Sequence, residues 1–321
     1  MVDDRAQAPS QALPVEVCER AWAKVNLTFE VGARRSDGYH EVRSLMAAVD
    51  WCDVVRVRRG GRPGAFRLKV RGHGAPRGRR NLALRAAEAW AAQDPGLSAV
   101  SLELTKRIPS GAGLGGGSSD AGAVLRALTR LRPGAASAAL AAALGSDVPF
   151  FVDALALAEA SGRGERLEPA GALPATWRVV LALPAFALAT PLVYRRLDAL
   201  RAGAEASAPG GATTRLRERL AAVAAGGGRP AGEHALMEID AIARNDLWPA
   251  ALSLRPELET VRERLRLAVG PGRPVAMTGS GSALYALVED AGRAAHAVRR
   301  LRADGLRAVA ARPLEPRPGA P

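Results

Sequence analysis

Between Pro109 and Asp120 the chain reads P-S-G-A-G-L-G-G-G-S-S-D, with glycine at 111, 113, 115, 116 and 117. Glycine has no Cβ, so an anion can come close to the backbone there. The hydroxyls of Ser118 and Ser119 and the carboxylate of Asp120 follow directly. The chemistry this composition suits is the cradling of a phosphate group. Only three lysines occur, Lys24, Lys69 and Lys106, in a chain whose positive charge is otherwise arginine.

The loop needs an element on each side. Upstream, 99–108 alternates Val100, Leu102 and Leu104 with Ser101, Glu103 and Thr105, which predicts a strand with one buried face. Downstream, Ala121, Val124, Leu125, Leu128 and Leu131 recur at helical spacing, and Ser118, Ser119 or Asp120 can cap that helix. A helix start presents unpaired N–H donors and partial positive charge, as an anion requires. Gly111, Gly113 and Gly116 also satisfy G-x-G-x-x-G, but a dinucleotide fold needs an acidic residue about 20 positions on. Residues 121–146 contain no Asp or Glu, which excludes that fold. No lysine follows the glycines as a Walker loop demands, and the H-R-D and D-F-G of protein kinases are absent. A plain structural turn remains the alternative to a nucleotide-phosphate loop.

The 321 residues are 48% hydrophobic and 24% charged, enough for two globular domains. Two cysteines, Cys18 and Cys52, show neither a disulfide framework nor zinc spacing. A net charge of +13 admits a nucleic-acid binder, yet aromatics are only 4% and no basic block interleaves with them. An anionic substrate would use the same field. With no apolar run of transmembrane length and a polar, acidic start, the expected location is the cytoplasm.

Along the chain, 15–31 is strand-like, with Trp22, Lys24, Asn26 and Thr28 on one face. A strand pair is expected at 42–49 and 54–57, a strand at 66–70, and a helix at 81–93. Another helix is expected at 135–144. Strands at 155–160 and 178–183 flank a polar turn, and 202–232 reads as a mobile insertion around one short charged helix. Helices dominate 235–267, followed by the glycine-bearing stretch 275–288, a helix at 292–303 and a strand at 306–311. The expected class is mixed α/β (α+β) in two domains, 15–170 and 171–313.

The glycine loop resembles the ATP-binding motif of the GHMP kinases, together with A-K-V-N-L at 23–27 and T-G-S-G at 278–281. Within that superfamily the chain resembles the 4-diphosphocytidyl-2-C-methyl-D-erythritol kinases. The motifs that carry this are R-S-D-G-Y-H-E-V at 35–42, L-G-S-D-V-P-F-F at 144–151, Thr190-Pro191 with Tyr194, and N-D-L at 245–247. The resemblance covers roughly 18–312. It implies a two-domain kinase with its site in the inter-domain cleft, acting with ATP and Mg²⁺ on the 2-hydroxyl of the cytidyl substrate.

On that resemblance Asp147 is the base, with a helix cap as its structural alternative, and Lys24 orients it and offsets developing charge. Pro109, Ser110, Gly111, Ala112, Gly113, Leu114, Gly115, Gly116, Gly117, Ser118 and Ser119 bind ATP. Asn26, Tyr39, His40, Thr190 and Tyr194 bind the acceptor, the aromatic rings stacking on cytosine. Gly279, Ser280 and Gly281 support the site by close backbone approach. Mg²⁺ has no protein cage and is held through ATP, with Ser118 or Ser119 as a further contact. The expected partners are a small-molecule substrate and at most a weak homodimer mate, with neither nucleic acid nor membrane. Departures from the family pattern are Ser110, Gly122 and Trp248, none of which is a proposed catalytic group. A homoserine or mevalonate kinase is the alternative within the superfamily, and a basic nucleic-acid binder the alternative outside it.

Overall fold

Alternation in the amino-terminal stretch builds two strands, β1 (Glu16–Asn26) and β2 (Thr28–Arg34), separated at Leu27. The next element differs from expectation. Instead of two strands, 40–59 is one long strand, β3 (His40–Arg59). The polar run Asp50-Trp51-Cys52-Asp53 is absorbed by a bulge: β1 pairs Trp22 with Cys52 but the adjacent Ala23 with Val49. A bulge bends and twists a strand without ending it. The computed structural model describes residues 15–316 except 63, 73, 95, 98, 134–137, 203–207 and 226–231.

The chain continues through β4 (Phe66–Gly72), α1 (Leu82–Gln93), β5 (Val100–Lys106), α2 (Gly116–Leu131), α3 (Ala138–Leu144), α4 (Val148–Val152), β6 (Leu157–Ser161) and β7 (Arg166–Pro169). The polar turn expected after β6 therefore contains a strand that folds back on it. A second set follows: β8 (Arg178–Leu183), α5 (Thr190–Leu200), α6 (Gly211–Ala225), α7 (Glu233–Ile242), β9 (Arg244–Asn245), α8 (Trp248–Leu254) and α9 (Glu257–Val269). The last elements are β10 (Val275–Met277), β11 (Leu284–Val288), α10 (Ala291–Ala303) and β12 (Arg307–Ala311). Among the described residues no helix is long and apolar enough to cross a membrane.

The first sheet runs β4-β5-β3-β2-β9, with β1 and the β6–β7 hairpin also paired along β3. The second runs β10-β11-β8-β12 and is antiparallel throughout. The apolar face of α2, with Val124, Leu125 and Leu128, packs with α1 on Val55, Leu102 and Leu104 of the first sheet. Between the sheets Leu27 and Leu45 meet Trp177, Leu181 and Tyr285. The far face of the second sheet is covered by α5, α8, α9 and α10, where Leu258, Leu265 and Leu301 meet Val180 and Ala286. Layers of helices, sheet, sheet and helices make this an α/β fold. The later half also returns to the first sheet, since β9 lies parallel to β2.

The mobile insertion expected over 202–232 does not hold for 211–225. Leu216 and Leu220 of α6 are buried in the core between the sheets. The start of α6 is held by Glu30 of β2, whose carboxylate accepts the backbone N–H groups of Gly210, Ala212 and Thr213 and the Thr213 hydroxyl. Alanine-rich sequence here satisfies a helix rather than a linker, because the partners that fix it lie far away in the chain. Of that region, 203–207 and 226–231 lie outside the described residues, as do 1–14 and 317–321.

Candidate active site

β5 ends at Lys106 and α2 begins at Gly116, with Gly115 as N-cap in left-handed geometry (φ 70°). Ser118, Ser119 and Asp120 are therefore inside the first turns of α2 and do not cap it, contrary to the sequence expectation. No side chain caps α2, so its leading N–H groups are left for a ligand. The loop is held by backbone bonds from three directions. Lys24 N–H donates to Leu114 O, Leu188 N–H to Gly111 O and Ala283 N–H to Ala112 O, each at 3.1 Å. Gly113 has φ 76°, and a Cβ there would stand 2.0 Å from Thr278 O. No other residue fits that position.

The loop forms one wall of a cleft of about 200 Å³ lined by Pro109 through Gly117, with Asn81, Lys106 and Asp120. Ser118 and Ser119 do not line it, and Ser119 Oγ is buried without a hydrogen-bond partner. Ser110, an unusual residue at its position, donates to Gly74 O. Gly122 is explained by packing, since a Cβ there would lie 2.7 Å from Phe151 Cβ. Trp248 lies under the Arg262 guanidinium.

Lys24 comes to the loop on β1. Its Nζ donates to Asn26 Oδ1 at 2.5 Å and to Gly113 O at 3.0 Å, and lies 3.5 Å from Asp147 Oδ2. The residue is only 3% exposed. Burial pulls the Lys24 pKa below the usual lysine value, while the Asp147 carboxylate opposes that fall. Asp147 occupies the N-cap position of α4 but makes no capping bond. Its side chain, 32% exposed, is free to face both Lys24 and solvent. A buried ammonium against a solvent-reachable carboxylate, touching a phosphate-suited loop, can orient a hydroxyl and take its proton.

Asn26 is buried and internally satisfied. It accepts from Lys24, its amide donates to Ser44 Oγ at 2.7 Å, and its backbone N–H donates to Thr278 Oγ1 at 3.1 Å. His40 and Tyr194 are brought together with ring centroids 5.2 Å apart. Both His40 ring nitrogens face protein oxygens, Gly32 O at 3.1 Å and Asp198 Oδ1 at 3.0 Å, so its edge is engaged, and the residue is buried. Tyr39 is 54% exposed, with the Arg163 guanidinium over its ring. Burial, with the nearby Asp147 charge, raises the Tyr194 pKa.

Thr190 shares a 2.8 Å hydrogen bond with Ser280, joining α5 to the T-G-S-G turn. Gly279 and Gly281 both have positive φ, and a Cβ on Gly279 would sit 3.3 Å from Lys24 Nζ. Three groups escaped sequence reasoning. Thr278 bonds β1 and the loop, and Asn245 donates from its amide to Met277 O and Gly279 O, pinning the turn. Lys106 is the third, buried beside the loop. Its signal was the scarcity of lysine. Thr278 and Asn245 lay inside quoted motifs without a local reason for a role.

An uncapped glycine-loop helix faced by a lysine–carboxylate pair, on an α/β fold of two sheets, defines a GHMP-type small-molecule kinase. Residues 81–154 match the model of the GHMP kinases N terminal domain and 231–306 that of the GHMP kinases C terminal. The chain is 41% identical over 278 residues to the 4-diphosphocytidyl-2-C-methyl-D-erythritol kinase of Anaeromyxobacter sp. (strain K), covering 85% of this chain and 80% of the relative. The enzyme of that name from Thermus thermophilus is 43% identical over 286 residues, covering 88% and 92%. A crystal structure of 4-(cytidine 5'-diphospho)-2C-methyl-D-erythritol kinase superposes with a TM-score of 0.71 at 39% identity, covering 92% of this chain and 98% of that one. The homoserine kinase of Cytophaga hutchinsonii, at 16% identity and TM-score 0.66, shares the fold alone. The chain belongs to the 4-diphosphocytidyl-2-C-methyl-D-erythritol kinase family.

Proposed function

We propose that this chain transfers the γ-phosphoryl group of ATP to the 2-hydroxyl of 4-diphosphocytidyl-2-C-methyl-D-erythritol. The observation that carries the proposal is the contact of Lys24 with both Gly113 O of the glycine loop and Asp147. It sets the proton-handling pair beside the phosphate cradle. The acceptor hydroxyl gives its proton to Asp147 as its oxygen bonds to the γ-phosphorus. The bond from that phosphorus to the bridging oxygen breaks, and ADP leaves. Lys24 holds the carboxylate and hydroxyl in line and offsets negative charge in the transition state.

ATP would lie along the loop, toward the N–H groups at the start of α2 that no side chain caps; the glycines let the loop pack closely on Ala187, Thr278, Phe151 and Ile108. Mg²⁺ would be held through the nucleotide's phosphates, whose charge it would offset; Ser118 and Ser119 stand outside the lining of the cleft. Tyr39, Tyr194 and His40 would hold the cytosine, with Thr190 and Asn26 keeping the acceptor side in shape. In this scheme 15–170 is the N-terminal nucleotide-binding unit and 171–313 the C-terminal unit flanking the cleft.

The test is turnover by purified protein with ATP and each acceptor in turn. Consumption of the cytidyl substrate, with homoserine and mevalonate inert, is expected. Turnover of homoserine with the cytidyl substrate inert would overturn the proposal.

A further inference from the structure

Thr190, Tyr194 and Asp198 recur every four residues along α5, which puts the three on one face of that helix. Val193 and Leu197, one residue before Tyr194 and Asp198, are buried in the core beyond the second sheet. The polar face is tied at both ends. Thr190 shares its hydrogen bond with Ser280 of the T-G-S-G turn, and Arg201 at the C-cap donates to Val31 O of β2 at 2.7 Å. Between these ties, Tyr194 and Asp198 both meet one residue of β3, His40.

Asp198 has no part in the transfer step and lies outside every motif quoted from the sequence. Its Oδ1 stands 3.0 Å from His40 Nε2, and among the described residues no other group bonds its carboxylate. The opposite ring nitrogen, Nδ1, is 3.1 Å from Gly32 O. A ring held at one nitrogen can tilt about that bond, whereas a ring held at both keeps one plane. The Tyr194 ring packs on the plane so fixed, with centroids 5.2 Å apart and 34° between the rings. Asp198 thus sets His40, and His40 sets Tyr194.

We propose that Asp198 is a positioning residue for the base of the acceptor: acting through His40, it holds the Tyr194 ring at the angle on which a planar cytosine stacks. This rests on Tyr39, His40 and Tyr194 being the acceptor's base site. The ties at Thr190 and Arg201 do not involve the Asp198 carboxylate, so its removal leaves α5 in place and loosens only the aromatic wall. In the acceptor a diphosphate separates the cytidyl group from the reacting hydroxyl. A loosened wall therefore weakens binding of the acceptor and leaves the transfer step and the nucleotide side alone.

Steady-state kinetics at varied acceptor and varied ATP test this. Asp198→Ala should raise the KM for the cytidyl acceptor about tenfold, within the range for losing one partner in base stacking. Its kcat and its KM for ATP should stay within about twofold of the wild type. Asp198→Asn keeps a side-chain amide that can bond His40 Nε2, and its acceptor KM should stay within about threefold of the wild type. The route through the ring is read from a cycle with His40→Ala: adding Asp198→Ala to that variant should change the acceptor KM by less than about twofold. Effects that multiply in the double variant would overturn the proposal, because the carboxylate would then act without His40. A wild-type acceptor KM in Asp198→Ala would also overturn it, as would an asparagine variant as poor as the alanine one. So would a matching rise in the KM for ATP or a matching fall in kcat, the mark of general damage to the fold. A wild-type protein that turns over homoserine and leaves the cytidyl acceptor untouched would instead overturn the acceptor assignment, and this proposal with it.

Discussion

Replacing Thr278 by valine removes one hydroxyl and leaves the side-chain shape almost unchanged. That hydroxyl accepts from the Asn26 backbone N–H at 3.1 Å. Its single hydrogen goes to Gly113 O at 3.1 Å or to Asn26 Oδ1 at 3.2 Å. Both of those acceptors keep Lys24 Nζ as a donor in the variant. The Asn26 N–H keeps nothing and stays buried. An orphaned buried donor costs about 1–3 kcal/mol, and losing the donated bond adds about 1, so Thr278→Val should lose roughly 2–4 kcal/mol. For a chain of 321 residues that is a fall in Tm of roughly 3–6 °C. The measurement is urea unfolding of wild type, Thr278→Val and Thr278→Ser. The serine variant keeps the hydroxyl and should lose only about 1 kcal/mol for its methyl group. If valine costs under about 0.5 kcal/mol, a threshold set by ordinary surface substitutions, or if serine costs as much as valine, the hydroxyl does not join β1 to the loop as argued.

Asp147→Asn and Lys24→Ala should each lower kcat by about 10²–10⁴, the range for acid–base groups, with ATP binding retained in calorimetry; near-normal turnover would remove their assigned roles. Gly113→Ala should abolish detectable ATP-analogue binding, because the left-handed backbone costs about 1–2 kcal/mol and the new Cβ must displace Thr278 O. Glu30→Ala should cost roughly 3 kcal/mol by orphaning the N–H groups at the start of α6. The Glu30 carboxyl, though burial pushes it up, is held below the usual carboxylate range by the Thr213, Gly210 and Ala212 hydrogen bonds. Its contribution is therefore complete above the unfolded pKa and is lost as pH falls through the folded value. The stability gap between wild type and variant, followed by thermal melts, should close in acid and not in alkali.

Periodicity and glycine placement made much of the fold legible. The α1 helix and the strands β4, β5 and β8 arise from local patterns that tertiary contacts did not override. The breaks before α8 and α9 also follow locally, from Pro249 near the start of one helix and Pro256 at the N-cap of the other. The bulge in β3 was not legible, because its polar residues look like a turn until β1 is laid beside them. Nor was the early start of α2, since glycines at its first positions have low helix propensity, and their left-handed predecessor and surrounding contacts decide the boundary.

What the sequence by itself determined about the site is chemical inventory: five glycines before an apolar helix, one lysine in A-K-V-N-L, one aspartate in L-G-S-D-V-P. These are local choices of residue type, and no other part of the molecule is needed to read them. Their assembly is different in kind. Lys24 meets Gly113 and Asp147 only because β1, the loop and α4 converge across the first sheet. Thr278 and Asn245 come from the far end of the chain to hold that meeting point. Asp53 answers Lys106 from another strand. Hydrogen bonds and ion pairs act over a few ångströms, and only the packed sheets bring such distant residues within that range.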